Sequence, residues 1–187
     1  MTMKRCGWVP DRPLYVKYHD EEWGAPVHDD RKLFEQLVLQ SMQAGLSWET
    51  ILKKRENFRE AFDNFDFEKV AKYDSKKFQS LMKNEGIVRN KLKIKSAIEN
   101  AKVYLRIRKE YDSFEDYIWS FVNGKQIVNK YKSWKQLPAK TELSDKISKD
   151  LKQKGMNFVG STIIYAYMQA VGIVNDHETG CYRRKEL

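Results

Sequence analysis

Apolar positions recur along much of the chain at the 3.6-residue spacing that places one buried stripe on an α-helix. The clearest early case is the run Leu33, Phe34, Leu37 and Val38, which follows Asp29, a residue type that caps helices. Polar and apolar positions do not alternate over any sustained stretch, as they would in a half-buried strand. The pattern therefore predicts an all-α fold.

Residues that favour helix starts and stops place the remaining helices. Ser47 is a good N-cap, and Gly45 and Gly155 are residues at which a helix can end. No secondary structure is predicted for the segment Lys125–Lys140. The predicted helices cover Asp29 to Gln43, a stretch after Ser47, Asp66–Tyr73, Ser75–Lys83, about Arg89–Glu110, a stretch capped by Ser113, a stretch from Thr141 or Ser144 to Lys154, and a stretch from Ser161 or Thr162 to Ala170.

Composition narrows the class of protein. Hydrophobic residues make up 41% and aromatic residues 13% of the 187 residues, which argues against disorder. No apolar run approaches the roughly 20 residues that span a bilayer, and the N-terminus carries no apolar signal segment. We therefore expect a cytoplasmic protein without a membrane partner. No repeat, low-complexity stretch or linker is present, so 1–187 is predicted to form a single unit.

The chain is basic, with 35 Lys+Arg against 26 Asp+Glu and a net charge of +9. This balance is compatible with a nucleic-acid partner, but a solvated lysine-rich surface gives the same sum. The segment Lys83–Lys109 concentrates the charge. Its positive side chains are predicted to form either a solvated helix face or a surface that faces phosphates.

The two cysteines and two of the three histidines lie near the ends of the chain. Cys6 and His19 form one pair, and His177 and Cys181 form another with an H-x3-C spacing. Zinc prefers four sulfur and nitrogen ligands in a tetrahedron, and this set supplies them without an open position. A structural zinc that joins the two ends is one interpretation; two unrelated buried cysteines and two ordinary histidines are the other.

Two further patterns suit nucleic acid. The aromatic residues Trp8, Tyr15, Tyr18 and Trp23 cluster near the N-terminus, and Trp48 follows after a short loop. Each alone is typical of a core, but together they suit a pocket that stacks on a flipped-out base. The glycine-bounded turn at 154–162 has the form of a helix–hairpin–helix element that aims backbone N–H groups at a phosphate.

Several motifs, in order along nearly the whole chain, resemble the DNA-3-methyladenine glycosylase I family. The resemblance implies a helix–hairpin–helix DNA glycosylase fold with a zinc site joining the N- and C-terminal segments. The motifs are Cys6-Gly7-Trp8, Tyr15-x-x-Tyr18-His19-Asp20-x-Glu22-Trp23-Gly24, Gln43-Ala44-Gly45-Leu46-Ser47-Trp48, Leu52-Lys53-Lys54-Arg55, Trp119-Ser120-Phe121-Val122-Asn123, Phe158-Val159-Gly160 and Asn175-Asp176-His177-x3-Cys181.

The resemblance assigns one structural Zn²⁺ per chain to Cys6, His19, His177 and Cys181. The helical core then covers about 27–173, and the zinc-binding terminal segments cover 1–26 and 174–187. The implied reaction is hydrolysis of the N-glycosidic bond of 3-methyladenine in alkylated double-stranded DNA by a monomer. It releases the free base and leaves an abasic site without cutting the strand.

The resemblance also assigns the contacts with DNA. Gln40 and Tyr18 are implied for recognition and catalysis, and Tyr15, Trp23 and Trp48 for binding of the base. The loop that inserts into DNA corresponds to Gln43, Ala44, Gly45 and Leu46. The hairpin that grips the backbone corresponds to Phe158, Val159, Gly160, Ser161 and Thr162.

Gln40 departs from the family pattern, which usually has a Glu that contacts the methylated adenine. An amide can still pair with the N6 donor and N7 acceptor of adenine, but it lacks the charge of a carboxylate. Gln40 therefore leaves open a catalytically weakened or silent member of the fold that binds lesions or DNA. A zinc-stabilised interaction protein unrelated to DNA is a separate alternative. Asp20, Glu22 and Glu49 are near the motifs, and no general base is assigned.

Overall fold

The computed structural model describes residues 4–187, so the first three positions of the terminal segment 1–26 lie outside it. Within that range the chain is mostly helical, as predicted. Three short 3₁₀ turns occur at Asp63–Phe65, Trp134–Gln136 and Tyr182–Lys185. The α-helices are α1 (Pro13–Glu21), α2 (Asp30–Gln43), α3 (Trp48–Ala61), α4 (Phe67–Val70), α5 (Ser75–Lys83), α6 (Lys91–Tyr111), α7 (Phe114–Ser120), α8 (Glu142–Gln153) and α9 (Ser161–Ala170).

Side-chain caps explain where most helices begin. Asp29 accepts a hydrogen bond from the Lys32 amide at 2.8 Å, and Ser113 accepts one from the Asp116 amide at 2.8 Å. Thr141 forms a reciprocal capping box with Ser144, two residues that the sequence proposed as alternative starts. The helix starts predicted at these polar residues are therefore confirmed.

Helix α1 and a small sheet were not predicted. Pro13 occupies the first turn of α1, where its missing N–H costs nothing. The buried residues of this helix are Tyr18 and His19 instead of an aliphatic stripe. In the unassigned stretch, Ile127–Val128 pairs in parallel with Val174–Asn175, so the fold is mostly rather than wholly helical. Two residues per strand are too few for an alternating pattern to show.

The predicted helix Asp66–Tyr73 is shorter in the structure. Asp66 is its N-cap, and the helix ends at Val70. A turn follows, because Asp74 caps the next helix through the Lys77 amide at 2.8 Å. Two caps only eight positions apart leave room for one helical turn and a connection.

Helix α2 lies at the centre of the main core. Its residues Leu33, Phe34, Leu37 and Met42 are fully buried, and the helix packs against α3, α6, α7 and α9. Helix α9 packs in turn against α8. The C-terminal part of α2 and helix α9 are thereby held side by side, and both contribute to the site described below.

A second, smaller core joins the two ends of the chain. Cys6, Tyr18, Trp23, Leu52 and Cys181 are buried together, and Trp48 packs against both cores. The strand Val174–Asn175 leads directly into the segment that carries His177 and Cys181. Among residues 4–187, no helix is long and apolar enough to cross a bilayer.

Candidate functional site

Cys6, His19, His177 and Cys181 meet in one buried cluster, as the zinc interpretation requires. Their ligand atoms all lie within 4.8 Å of one another. The Cys6 Sγ to His177 Nδ1 distance is 3.4 Å, and Cys181 Sγ lies 3.5 Å from His19 Nε2 and from His177 Nδ1. Zn–S bonds of about 2.3 Å and Zn–N bonds of about 2.0 Å place ligand atoms about 3.6 Å apart in a tetrahedron. The donor set therefore fits a tetrahedral metal ion.

The outer nitrogen of each histidine is held by a second partner. His19 Nδ1 lies 2.8 Å from Asp20 Oδ1, and His177 Nε2 lies 2.9 Å from the Trp23 carbonyl oxygen. Such partners fix the ring and leave the other nitrogen for a metal. Asp20 and the Trp23 carbonyl were not identified from the sequence as parts of the cluster.

The two cysteines are free thiols whose protonation is linked. A hydrogen bond from the Cys6 thiol lowers the pKa of Cys181. The same hydrogen bond, followed by burial, raises the pKa of Cys6. Zinc binds thiolates, so metal binding at this cluster would release the thiol protons that remain.

A separate cavity of about 380 Å³ opens beside this cluster. It contains all five aromatic residues singled out in the sequence, together with Gln40 and Gln43. Leu137 and Gln169 were not expected there. The lining residues are Trp8, Tyr15, Tyr18, Trp23, Gln40, Gln43, Ser47, Trp48, Leu137, Ala166 and Gln169.

Aromatic rings form much of the cavity wall. The Tyr18 and Trp48 rings lie 5.2 Å apart, and the Trp8 and Trp23 rings lie 4.9 Å apart in an edge-to-face arrangement. Burial, with a smaller contribution from the charge of Glu22, raises the pKa of Tyr18. The Tyr18 hydroxyl therefore stays neutral and can donate a hydrogen bond. The cavity suits a flat, aromatic ligand.

The Gln40 amide has no hydrogen-bond partner among residues 4–187, although the residue is only 5% exposed. A buried amide normally finds partners, because an unmade hydrogen bond costs about 1–3 kcal/mol. Gln40 lies in the last turn of α2, against the cavity. Its donor and acceptor are therefore available to a ligand.

The acidic residues near the motifs are engaged elsewhere. Arg5 binds Asp20 and lowers the pKa of that carboxyl to about 2. Glu22 pairs with Arg55 at 2.6 Å. Glu49 pairs with Lys53 and Arg12, which lower its pKa. None of the cavity-lining residues is a carboxylate. No side chain of the described cavity is thus a ready general base.

The loop 43–47 forms the lip of the cavity. Gly45 has a φ of +77° and Leu46 is 41% exposed, so an apolar side chain points outward from a tight turn. Lys93 anchors the start of this loop: its Nζ donates to the Met42 and Ala44 carbonyl oxygens at 2.8 and 2.5 Å. Burial lowers the pKa of this amine.

Lys93 corrects the interpretation of the basic segment Lys83–Lys109. Its side chain is buried, so it belongs to neither a solvated face nor a phosphate-facing surface. Lys91 and Lys95, in contrast, are exposed, as either interpretation expected. A lysine within a run of lysines carries no sequence signal of burial, which explains why its role was missed.

Two buried side chains donate hydrogen bonds to backbone carbonyl oxygens of the turn between α8 and α9. The Asn157 carbonyl oxygen accepts from Asn100 Nδ2 at 2.8 Å, and the Val159 carbonyl oxygen accepts from Ser148 Oγ at 2.7 Å. Phe158 has a φ of +54°. Helix α9 starts after Gly160 without a side-chain cap. Its first N–H groups are therefore free of such an acceptor, as an anion site requires.

The comparisons with known proteins agree with one another. A sequence model of the methyladenine glycosylase family matches residues 8–184. DNA-3-methyladenine glycosylase of Haemophilus influenzae is 48% identical over 177 residues, covering 95% of this chain and 96% of the relative. DNA-3-methyladenine glycosylase 1 of Escherichia coli is 48% identical over 179 residues, covering 96% of both chains.

A solved structure shares the fold at lower identity. It is 3-methyladenine DNA glycosylase I from Staphylococcus aureus, described for its recognition of 3-methyladenine. Its TM-score to this chain is 0.94 at 36% identity, with 98% of each chain covered. Near-complete coverage on both sides means that no large segment of that protein lacks a counterpart here.

Proposed function

This chain belongs to the methyladenine glycosylase family, and from that premise we propose that it excises 3-methyladenine from alkylated double-stranded DNA. The reaction is hydrolysis of the N-glycosidic bond, which yields the free base and an abasic site. The observation that carries the proposal is the cavity: its aromatic walls and the unpartnered Gln40 amide suit a flipped-out adenine.

The cavity supplies what the reaction needs. 3-Methyladenine in DNA is a cation with a weakened glycosidic bond, and the base departs neutral, so no acid has to protonate it. Aromatic faces attract such a cation, by about 0.5–2 kcal/mol. The attraction accelerates the reaction only where it is stronger in the transition state than in the ground state. In this reaction water bonds to C1′ of the deoxyribose as the bond from C1′ to the base breaks. Because the base leaves readily as a neutral molecule, the reaction fits a cavity without a carboxylate among its lining residues.

Gln40 recognises the edge of the base in this proposal. Its oxygen accepts from the N6 amine and its nitrogen donates to N7, the usual match between glutamine and adenine. The Tyr18 hydroxyl, kept neutral by burial, is the second polar group of the recognition site. Trp48 stacks on the ring, and Tyr15 and Trp23 complete the aromatic wall.

DNA approaches the cavity over the loop and the hairpin. Leu46, at the exposed tip of the loop formed by Gln43, Ala44, Gly45 and Leu46, fills the gap left by the flipped nucleotide. The hairpin residues Phe158, Val159, Gly160, Ser161 and Thr162 bind a backbone phosphate through the start of α9. Exposed Lys149 and Lys152 border the same surface as Ser161, together with Asp145, whose charge is paired with Lys140.

We assign the Cys6, His19, His177 and Cys181 cluster to one structural Zn²⁺. The two thiolates and two imidazoles fill a tetrahedron, so a bound zinc supplies a crosslink and no activated water. It joins the terminal segments 1–26 and 174–187 to each other beside the helical core 27–173. We propose that the chain acts as one unit and as a monomer. Free thiols and action on DNA fit the cytoplasmic location predicted from the sequence.

The test is incubation with duplex DNA that carries methylated bases, followed by chromatography of the released bases and electrophoresis of the strand. We expect free 3-methyladenine, and a strand that breaks only after alkali treatment of the abasic site. Release of no base by folded, zinc-loaded protein would contradict the proposal.

A second candidate function is favoured by Gln40 alone. A member of the fold without the usual carboxylate could bind the lesion and not release it. The same assay separates the two, because this alternative predicts tight binding of methylated DNA without free base. A zinc-stabilised protein unrelated to DNA predicts no salt-dependent DNA affinity, and family membership gives it no support.

A further inference from the structure

Gln169 is a polar cavity residue that the sequence analysis did not identify. It lies at the C-terminal end of α9, one turn after Ala166, and both line the cavity. Helix α9 packs against α2, which carries Gln40. The Gln169 carbonyl oxygen accepts a hydrogen bond from the Gly24 amide at 2.9 Å. Its backbone is therefore fixed against the segment that follows Trp23.

The orientation of the Gln169 amide is also fixed. Its Nε2 donates to Asp176 Oδ2 at 2.8 Å. A carboxylate only accepts hydrogen bonds, so the nitrogen must face Asp176 and the oxygen must face away from it. The Gln169 Oε1 atom has no donor among residues 4–187.

Asp176 is held as firmly as the amide that it orients. The residue is 1% exposed, and it also accepts from the Tyr165 hydroxyl and, at 2.6 Å, from Asn129 Nδ2. Three donors around one buried carboxylate satisfy its charge without a basic residue. Asp176 therefore acts as a positioning residue for Gln169.

Gln40 and Gln169 thus present two different amides to one cavity. Gln40 has no partner in the described part of the chain and can turn either end toward a ligand. Asp176 holds one of the two Nε2 hydrogens of Gln169, which fixes the amide with its oxygen as an acceptor for a ligand. An adenine has one exocyclic group with two N–H donors, its N6 amine. One donor faces the N7 side and the other faces the N1 side.

We propose that Gln169 Oε1 accepts the second N–H of the N6 amine, on the N1 side, and is a specificity-determining residue for the base. This inference rests on the proposed function. Gln40 accepts the first N–H and donates to N7. The hydrogen bond to Asp176 polarises the Gln169 amide and increases the negative charge on its oxygen. The carboxylate of Asp176, which lies outside the cavity, thereby strengthens the attraction of Gln169 Oε1 for a cationic base.

The same arrangement disfavours guanine. Guanine carries the acceptor O6 where adenine carries the amine, so Gln169 Oε1 would face another acceptor. Turning the Gln169 amide to place its nitrogen where Oε1 lies would break the hydrogen bond to Asp176, so a donor at that position is disfavoured. Discrimination of this kind comes from an unpaired polar group and exceeds what a difference in shape provides.

The experiment compares Gln169→Leu with the wild type on duplexes that contain 3-methyladenine or 3-methylguanine. We expect kcat/KM for 3-methyladenine to fall about tenfold and that for 3-methylguanine to fall by less than about twofold or to rise, so that the preference falls about tenfold. The matched control is Gln36→Leu, another buried glutamine without a hydrogen bond to its Oε1. It should leave both values unchanged.

The outcomes separate the inference from the proposed function. Equal losses on both bases would mean that Gln169 is only structural, and they would overturn the inference while the function stands. A wild type that releases neither base would overturn the function. The inference is then decided by tryptophan fluorescence titration with free 3-methyladenine and 3-methylguanine, in which Gln169→Leu must lose the adenine preference. Gln169→Met, which keeps an unbranched side chain, repeats the comparison if Gln169→Leu is poorly folded.

Discussion

Helix α1 presents neighbouring residues to two different regions: His19 enters the Cys/His cluster, and Tyr18 enters the aromatic cavity. In the cluster every ligand atom and both outer histidine nitrogens have close partners. In the cavity the Gln40 amide and Gln169 Oε1 have none within residues 4–187. The cluster is closed by its own contacts and stabilises the junction of the two chain ends, whereas the cavity keeps polar atoms available for a ligand.

The largest effect should come from Cys181→Ser, which removes one ligand from the Cys/His cluster. Loss of one thiolate lowers metal affinity and leaves buried polar atoms without a partner. We expect the wild type to contain about one zinc per chain. The variant should contain much less zinc and should unfold at least about 10 °C lower. Metal analysis and thermal unfolding by circular dichroism check this.

The preference for 3-methyladenine over 3-methylguanine should stay unchanged in Cys181→Ser. In whatever fraction of Cys181→Ser remains folded, the ratio of 3-methyladenine to 3-methylguanine release should equal that of the wild type. A wild-type protein purified without metal and stable in chelator would rule out the zinc assignment.

The second-largest effect should come from a substitution in the aromatic cavity. Trp48→Ala removes a stacking surface worth about 1–3 kcal/mol per base, so base release should slow about tenfold to a hundredfold. Trp48 is half-buried, and we expect its loss to cost less stability than loss of Cys181. The control is Trp134→Ala, an exposed tryptophan outside the cavity lining. Unchanged base release in Trp48→Ala would place the base elsewhere.

Gln40→Glu should increase the rate of base release. A carboxylate adds a charge-assisted contact to the cationic base, and we expect kcat/KM for 3-methyladenine to rise about tenfold. Gln79→Glu adds the same charge at an exposed position on α5, outside the cavity lining and the α8–α9 surface, and should change nothing. A Gln40→Glu variant that is equal to or slower than the wild type would show that carboxylate assistance is the wrong explanation.

The smallest effect should come from Lys93→Met. The amine holds the Met42 and Ala44 carbonyl oxygens at the start of the loop, and its loss leaves them unpaired. We expect release from duplex DNA to fall about threefold to tenfold, whereas binding of free 3-methyladenine stays unchanged. Lys102→Met on the exposed face of α6 is the control. Equal losses in duplex activity and free-base binding would contradict a role confined to the loop.

The sequence predicted the parts of the molecule that depend on local chemistry. Asp29, Ser47 and Ser113 cap helices through their own side chains, so the helix starts could be read along the chain. Cys6 and Cys181 are the only cysteines of the chain, and their pairing with nearby histidines identified the cluster.

The missed features depend on contacts between distant segments. Gln169 becomes a fixed acceptor only because Asp176 lies 2.8 Å from its amide nitrogen. Lys93 is buried only because α6 packs beside the end of α2. Helix α1 buries Tyr18 and His19 in a cluster built from both chain ends, so it has no aliphatic stripe. Spacing along the chain contains none of this information.

The division between the two regions is tested most directly by single-turnover release of 3-methyladenine during stepwise removal of zinc. The folded fraction is followed by circular dichroism in the same samples. We expect active protein to decrease in proportion to folded protein, with an unchanged rate constant per folded molecule. A rate constant that falls while the protein stays folded would show that the cluster takes part in the chemistry, and would contradict a purely structural role for the zinc.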